Sequence, residues 1–322
     1  MASENYVIIA DPEGAGWGFA KAIFDNLRVM SEQFELSEIL IKEFHDGELK
    51  PKIKENIRGK KCFFIHDSNK HPLRWFTELC LVNQALKKSS ASEIVDVLPY
   101  MRFARQDRKD ESRVPINAEV VADIIELYAD GVLTLDVHNP AIDGFFKKRF
   151  DNLYSFSTVV KYLKENCPEI MHNLVIMTPD AGGAGRASAF AKKIGIKDVA
   201  VGYKVRRDAG IVDELRIVGD VNGKNVLIID DIIDSGGTLI KASETARKMG
   251  ANKVYAYCTH GLFTKGVETV LPHFDKFFVG DSIKQHQRNN LEVISFVKLF
   301  SEAIYRMCKG MSLSALFDKE PN

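Results

Sequence analysis

Short apolar runs alternate along this chain with segments of helical period. "YVIIA" (6–10), "CFFI" (62–65), "IVDVL" (94–98), "VLTL" (132–135), "LVIM" (174–177), "VAVGY" (199–203), "VLII" (226–229), "VYAYC" (254–258) and "FFVG" (277–280) have the length and composition of buried strands. Helix-period stretches lie between many of them. In "NAEVVADIIELY" (117–128), Val120, Val121, Ile124, Ile125 and Tyr128 share one predicted face. In "GTLIKASETARKMG" (237–250), Leu239, Ala242, Ala246 and Met249 do the same, and Gly250 suits the position just past a helix end. The alternation predicts an α/β protein with mostly parallel sheets covered by helices. Four or five strands are expected in each half, with a boundary near 149–156. No close sequence repeat or low-complexity segment is visible, but the element order suits two similar halves.

The ends of these strands are polar. "VLTLDVH" closes on Asp136 and His138, "LVIMTPDAGGAG" on Asp180 and glycines, "VAVGYK" on Lys204, "VLIIDD" on Asp230 and Asp231, and "VYAYCTHG" on His260. Open parallel sheets bind ligands beyond the carboxyl ends of their strands. So many polar endings predict a shared crevice or two related ones.

Composition narrows the class. With 322 residues the chain has room for two cores, and Lys+Arg and Asp+Glu each number 44. A formal charge of zero argues against a nucleic-acid partner bound by bulk electrostatics. The five cysteines (Cys62, Cys80, Cys167, Cys258, Cys308) form no C-x-x-C pair, which argues against a zinc site or disulfide framework. No apolar run approaches membrane-spanning length and no basic leader opens the sequence, so a cytoplasmic enzyme without membrane contact is expected.

The densest chemistry lies in "NVLIIDDIIDSGGTLIKA" (225–242). A strand here would bury Val226 to Ile229 and bring Asp230 and Asp231 to its mouth. Glycines at 236 and 237 let main-chain N–H groups approach a ligand, and a helix starting there adds unsatisfied donors and partial positive charge. Ser235 and Thr238 offer hydroxyls. A terminal phosphate suits this loop, and the aspartates suit sugar hydroxyls, directly or through a divalent cation. The plain alternative is a helix capped by Asp234 or Ser235.

"VLIIDDIIDSGGTL" resembles the phosphoribosyl-pyrophosphate motif of type I phosphoribosyltransferases. "LPYMRFARQDRKDESRVPINAEVVADII" (98–125), "TLDVHNPAIDGFF" (134–146), "TPDAGGAGRA" (178–187), "FHDGELKPKIKENIRGK" (44–60) and "THGLFTKG" (259–266) resemble the ribose-phosphate pyrophosphokinases. The likeness runs from about residue 40 to the C-terminus. It implies two phosphoribosyltransferase-like domains related by a pseudo-dyad, at 1–153 with ATP-contacting loops and at 154–322 with the sugar site and catalytic loop. The implied reaction moves the β,γ-diphosphoryl group of ATP to the 1-hydroxyl of ribose 5-phosphate, with magnesium as cofactor.

The resemblance also implies roles. Lys204 and Arg206 of "GYKVRRDAG" match the family's catalytic cations, with Val205 where relatives usually carry a basic residue. Asp230, Asp231, Asp234, Ser235, Gly236, Gly237 and Thr238 would hold ribose 5-phosphate. Arg105 and Gln106 would contact ATP. Phe44 would stack on adenine beside Asp46, Gly47 and Glu48, on a segment that in relatives reaches a neighbouring subunit; this implies a homo-oligomer, dimer or hexamer. His138 and Asp180 are the metal-linked candidates, and Asp136 a weaker one; His138 also suits an ATP phosphate or a metal-bound water. Lys147 stands where some relatives carry an acid, which puts a secondary metal site there in doubt. His260 and "FTKG" are open between a substrate or effector contact and a structural role.

There is no G-x-x-x-x-G-K-[ST] motif, and "DPEGAGWG" (11–18) fails the dinucleotide pattern because Phe19 takes the third glycine's place; it reads as a glycine-rich turn. Three other readings compete. A silent regulatory homologue should have lost Lys204–Arg206 or Asp180. A phosphoribosyltransferase needs only one such domain. A pyrophosphokinase acting on a larger 5′-substituted ribose, such as ADP-ribose, is disfavoured by the intact S-G-G-T loop.

Overall fold

A computed structural model describes residues 5–205 and 214–316, with the side chains of 204, 205 and 214 outside that description. Contacts divide the chain into two units. The first runs to Tyr154 and adds Ser282–Lys284 and the segment from Phe296; the second covers Ser155–Asp281 and Gln285–Ser295.

In the first unit the strands are β1 (Tyr6–Ala10), β2 (Phe34–Glu43), β3 (Leu49–Ile53), β4 (Lys61–Ile65), β5 (Glu93–Leu98), β6 (Gly131–Leu135) and β7 (Arg149–Leu153). They form one sheet in the order β3-β2-β1-β4-β5-β6-β7. All neighbours are parallel except the β2–β3 hairpin. Helices α1 (Trp17–Met30), α2 (Pro72–Lys88) and α3 (Asn117–Glu126) cross between parallel strands. Burial runs through β1, β4, β5 and β6 with little alternation, as sheets covered on both faces require.

The second unit repeats this plan. Helix α4 (Phe156–Asn166) leads into β8 (Leu174–Thr178), α5 (Ala184–Ile194), β9 (Val199–Val205), β10 (Glu214–Val218), β11 (Asn225–Ile233), α6 (Gly237–Lys248), β12 (Lys253–Gly261), β13 (Lys276–Gly280) and β14 (Leu291–Ile294). The order β10-β9-β8-β11-β12-β13-β14 follows the first sheet position by position, again with one antiparallel pair, β9–β10. The final helix α7 (Val297–Cys308) packs on α1 in the first unit, where Phe19 meets Phe300 edge to face at 5.6 Å between centroids.

The α/β reading and the nine sequence-read strands hold, but each sheet has seven strands rather than four or five. The additions β2, β3, β7, β10 and β14 lie at sheet edges or beside them. There partial exposure breaks the apolar run: β3 reads "LKPKI" and β7 "RFDNL". Helix α3 buries Ala118, Val121, Ala122 and Ile125, one residue round from the expected face, and leaves Val120 47% exposed. Helix α6 buries Leu239, Ala242 and Ala246 as expected, with Ser243; it ends before Met249, which is exposed, and Gly250 takes φ +90°.

Candidate active site

In the second unit the sequence-read site residues gather at the carboxyl edge of one sheet. Strand β8 pairs with β11 only as far as Ile228, whereas β11 and β12 pair on to Ile233 and Gly261. The two therefore continue as a ribbon past the end of β8. Asp230 and Asp231 lie inside this ribbon rather than at a strand terminus, with Asp230 opposite Cys258 and Ile232 opposite His260. The "IIDDII" pattern hid this extension, because burial alternates only from Asp230 onward.

Asp231 is 3% exposed and Asp230 is partly buried. The Asp231 N–H donates to Asp230 Oδ1 at 3.0 Å. Arg186, in the first turn of α5, brings Nη1 to 3.0 Å from Asp231 Oδ1 and 3.4 Å from Asp230 Oδ1. Burial, then the neighbouring Asp231, raises the Asp230 carboxyl well above the usual range, and Arg186 opposes that rise. Arg186 went unassigned in the sequence, although it lies within "TPDAGGAGRA". The available signal was a cation one turn into the helix that follows a strand ending in acid.

Beyond Ile233 the chain turns into α6. Gly236 is the N-cap at φ +79°, and no side chain caps the helix. The simple capping reading of Asp234 or Ser235 thus fails. A Cβ on Gly236 would lie 2.5 Å from Val270 Cγ2, so the position needs glycine for both conformation and space. Gly237 is exposed, and Ser235 and Thr238 are partly so. An uncapped helix of this length presents main-chain donors and the positive end of its dipole to an anion.

Asp180 follows β8, is exposed, and accepts the Gly183 N–H on Oδ1 at 3.2 Å. A Cβ on Gly183 would fall 2.0 Å from Thr178 Oγ1, which keeps this turn tight. The Lys204 backbone lies in β9, paired with Leu215. Arg206 lies outside the described residues. His260 is buried in β12, 1% exposed. In "FTKG", Thr264 donates to Asp234 Oδ1 at 2.6 Å, a structural role for that segment.

In the first unit, two neighbouring loops carry the other candidates. Arg105 and Gln106 follow β5, and His138 follows β6. Asn139 donates its amide to Asp107, and Ala118 N donates to Gln106 O at 3.2 Å, so the β5 loop is tied both to the β6 loop and to α3. Arg105 and His138 are exposed; Asp136 is buried at φ +39°. Phe44, Asp46, Gly47 and Glu48 form the exposed tip of the β2–β3 hairpin, where Phe44 N donates to Glu48 O at 2.8 Å and Gly47 takes φ +91°. That tip is at the same end of the sheet as Arg105. Strands β2 and β5 stand three positions apart in the sheet, and β2 runs on five residues past its pairing with β1. Lys147 reaches Asp123 at 3.4 Å on the surface.

Residues 15–128 match the N-terminal domain of ribose phosphate pyrophosphokinase, and 206–318 match the phosphoribosyl synthetase-associated domain. The first match begins at residue 15, ahead of the residue 40 from which the motifs are legible in the sequence. The ribose-phosphate pyrophosphokinase of Chlorobaculum tepidum is 39% identical over 290 residues, 88% of each chain. That of Ralstonia nicotianae is 34% identical over 325 residues, 98% of this chain and 99% of the relative. The crystal structure of phosphoribosylpyrophosphate synthetase from Mycobacterium smegmatis superposes with a TM-score of 0.84 at 27% identity, covering 95% of this chain and all of that one.

Proposed function

The chain belongs to the ribose-phosphate pyrophosphokinase family, and on that premise we propose that residues 230–238 hold ribose 5-phosphate for diphosphoryl transfer from ATP. The protein is an enzyme of PRPP synthesis: ATP gives its β,γ-diphosphoryl group to the sugar's 1-hydroxyl, leaving AMP and 5-phospho-α-D-ribose 1-diphosphate. One observation carries the assignment of the sugar site. A pair of carboxylates held by one arginine leads directly into an uncapped helix N-terminus built on glycine.

The 5-phosphate sits over the main-chain N–H groups of Ser235 to Thr238, helped by the two hydroxyls. Asp230 and Asp231 accept from ring hydroxyls, and Asp234 shapes the turn between the two subsites. This fixes the 1-hydroxyl for in-line attack on the β-phosphorus. Lys204 and Arg206 offset charge on the transferring group. Arg105 and Gln106 take the nucleotide's phosphates and base. In this reading residues 1–153 supply the ATP-contacting loops and 154–322 the sugar site.

Among the described residues no group of three or more His, Cys, Asp and Glu is placed to hold an ion. His138 and Asp180 are exposed and belong to separate units. Such a sparse donor set fits a hard divalent cation, Mg²⁺, that keeps its waters and takes most ligands from phosphate oxygens. His138 and Asp180 are the residues that would hold Mg²⁺, which would offset phosphate charge. The exposed Phe44 hairpin, three strands from Arg105, supports its serving the nucleotide of a second copy in a homo-oligomer, a dimer or hexamer. Among the described residues no helix is long and apolar enough to cross a membrane, and we place the enzyme in the cytoplasm.

The test is AMP release from ATP and Mg²⁺ with ribose 5-phosphate, against ribose and ADP-ribose as acceptors. Turnover with ribose 5-phosphate well above the other two is expected. Equal turnover with ADP-ribose would remove the phosphate-monoester assignment.

A further inference from the structure

Arg186 touches none of the reacting groups named above, yet its placement is specific. One guanidinium nitrogen spans carboxylates of two consecutive strand residues, at 3.0 Å and 3.4 Å. Consecutive side chains on a strand point to opposite faces. Two adjacent aspartates therefore do not converge unless something draws them together. Here the Asp231 N–H folds the Asp230 carboxylate back along the strand, and Arg186 reaches both from the neighbouring helix.

The chain contains its own control for the alternative, that Arg186 serves only the fold. Strand β4 stands beside β1 as β11 stands beside β8, with Tyr6 opposite Lys61 and Leu174 opposite Asn225. That register sets His66 in the place of Asp230 and Asp67 in the place of Asp231. Both strands lead into a loop reading D-x-x-G-A-G, at Asp11–Gly16 and Asp180–Gly185, the second beginning one residue later after its strand. His66 is buried and neutral, because burial lowers its pKa to about 3. The first turn of α1 there is Trp17, Gly18 and Phe19, with no cation. Of the cations near that mouth, Lys70 turns to Asp11 at 2.6 Å and to Glu78, and Arg102 donates to the Ser68 carbonyl at 2.7 Å. The fold thus forms without an arginine at this turn; the arginine appears where two carboxylates stand side by side.

We propose that Arg186 is a positioning residue for the sugar acceptor, holding Asp230 and Asp231 turned together so that both present lone pairs to the ribose hydroxyls. This rests on residues 230–238 being the ribose 5-phosphate site. A charged guanidinium nitrogen shared by two carboxylates fixes their orientation better than water does. Both acids are then in place before the sugar arrives.

Steady-state kinetics with ribose 5-phosphate varied at saturating ATP and Mg²⁺ test this on the full-length enzyme. Arg186→Met should raise KM for ribose 5-phosphate about tenfold while KM for ATP stays within twofold. Arg186→Lys, which keeps the charge on a shorter, non-planar head group, should recover part of that loss. Asp231→Asn should itself raise KM for the sugar. In that background Arg186→Met should add less than about twofold, because the two act as one unit. If Asp231→Asn raises KM but neither Arg186 variant does, the positioning role is overturned and the sugar site stands. If Asp231→Asn leaves KM unchanged, the sugar site itself is overturned. Equal Arg186→Met effects in both backgrounds would show that the arginine does not act through the carboxylates. Should Arg186→Met not fold, Arg186→Lys carries the test, and an unchanged KM there overturns the proposal.

Discussion

Thr264 holds Asp234 twice: its hydroxyl donates to Asp234 Oδ1 at 2.6 Å, and its main-chain N–H donates to the Asp234 carbonyl at 2.9 Å. Just upstream, Leu262 N donates to Ile233 O at 2.8 Å. The segment after β12 therefore braces the turn that leads from the carboxylate pair into α6. An exposed threonine contributes little to global stability, but here it sets the shape of the proposed phosphate loop.

Thr264→Val keeps the branched shape and the main-chain bond while removing the hydroxyl. We expect KM for ribose 5-phosphate to rise several-fold, in line with about 1 kcal/mol for one lost hydrogen bond. The midpoint of thermal unfolding should move by no more than a few degrees. An unaltered KM in a folded variant would show that the loop holds its shape without this brace.

Gly236→Ala should be far more damaging. The φ of +79° strains any β-carbon, and that carbon would fall 2.5 Å from Val270 Cγ2. The combined cost is roughly 2 to 4 kcal/mol. Urea unfolding should show the loss as a lowered midpoint with unchanged slope. Ribose 5-phosphate should protect the variant less against unfolding, since the positive φ and the clash with Val270 both press on the loop. Undiminished protection would mean that the sugar phosphate sits elsewhere.

What the sequence disclosed follows from physics local to each segment. Central strands such as β1, β4 and β8 are buried on both faces, so they appear as unbroken apolar runs. The acid–glycine loop at 230–238 is dense enough in unusual residues to be read by eye. Edge strands were missed because "LKPKI", though it alternates, is short and carries a proline, and "RFDNL" has no apolar run; pairing with a neighbour makes each a strand. Arg186 was hidden for a different reason. Its meaning depends on two aspartates about 45 residues downstream, and only the β8–β11 pairing brings them together. Nothing in the amphipathic stripe of α7 says which sheet it will cover, so its packing on α1 likewise had to be seen.

The Phe44 hairpin makes a prediction about assembly. Phe44→Ala should raise KM for ATP without affecting ribose 5-phosphate, and Lys204→Ala should abolish most turnover while leaving ATP binding nearly intact. If the hairpin serves the neighbouring copy, mixing the two variants after dissociation should rebuild some complete sites. At limiting ATP, a random one-to-one mixture of pairs would recover up to about a quarter of wild-type turnover. Absence of any recovery, with exchange of subunits verified by mass, would place the hairpin's action within its own chain.

Two buried groups of the first unit should shape the pH dependence of stability in opposite senses. Asp96 in β5 is fully buried, and burial raises its pKa to about 7. Asn83 donates to Asp96 Oδ2 at 2.7 Å, while Asp96 Oδ1 and Asn83 Oδ1 are both buried without a partner. A proton on the acid supplies the donor this pair lacks. The folded state thus keeps a proton that the unfolded chain releases near 3.8, and this contribution is lost as pH rises from about 4 to 7. His66 does the reverse. Stacked on Trp75 and bonded to its carbonyl at 2.8 Å, it stays neutral down to about pH 3, whereas the unfolded chain binds a proton near 6.5. Its contribution is complete above 6.5 and is lost as pH falls toward 3. Each slope approaches about 1.4 kcal/mol per pH unit, and between pH 4 and 6.5 they oppose each other. Asp96→Asn deletes one of the pair. Relative to wild type, the variant's unfolding free energy should fall more steeply on acidification through that window, by up to that slope. Parallel stability profiles for the two proteins would show that Asp96 is ionised in the core at neutral pH and that its charge is balanced there.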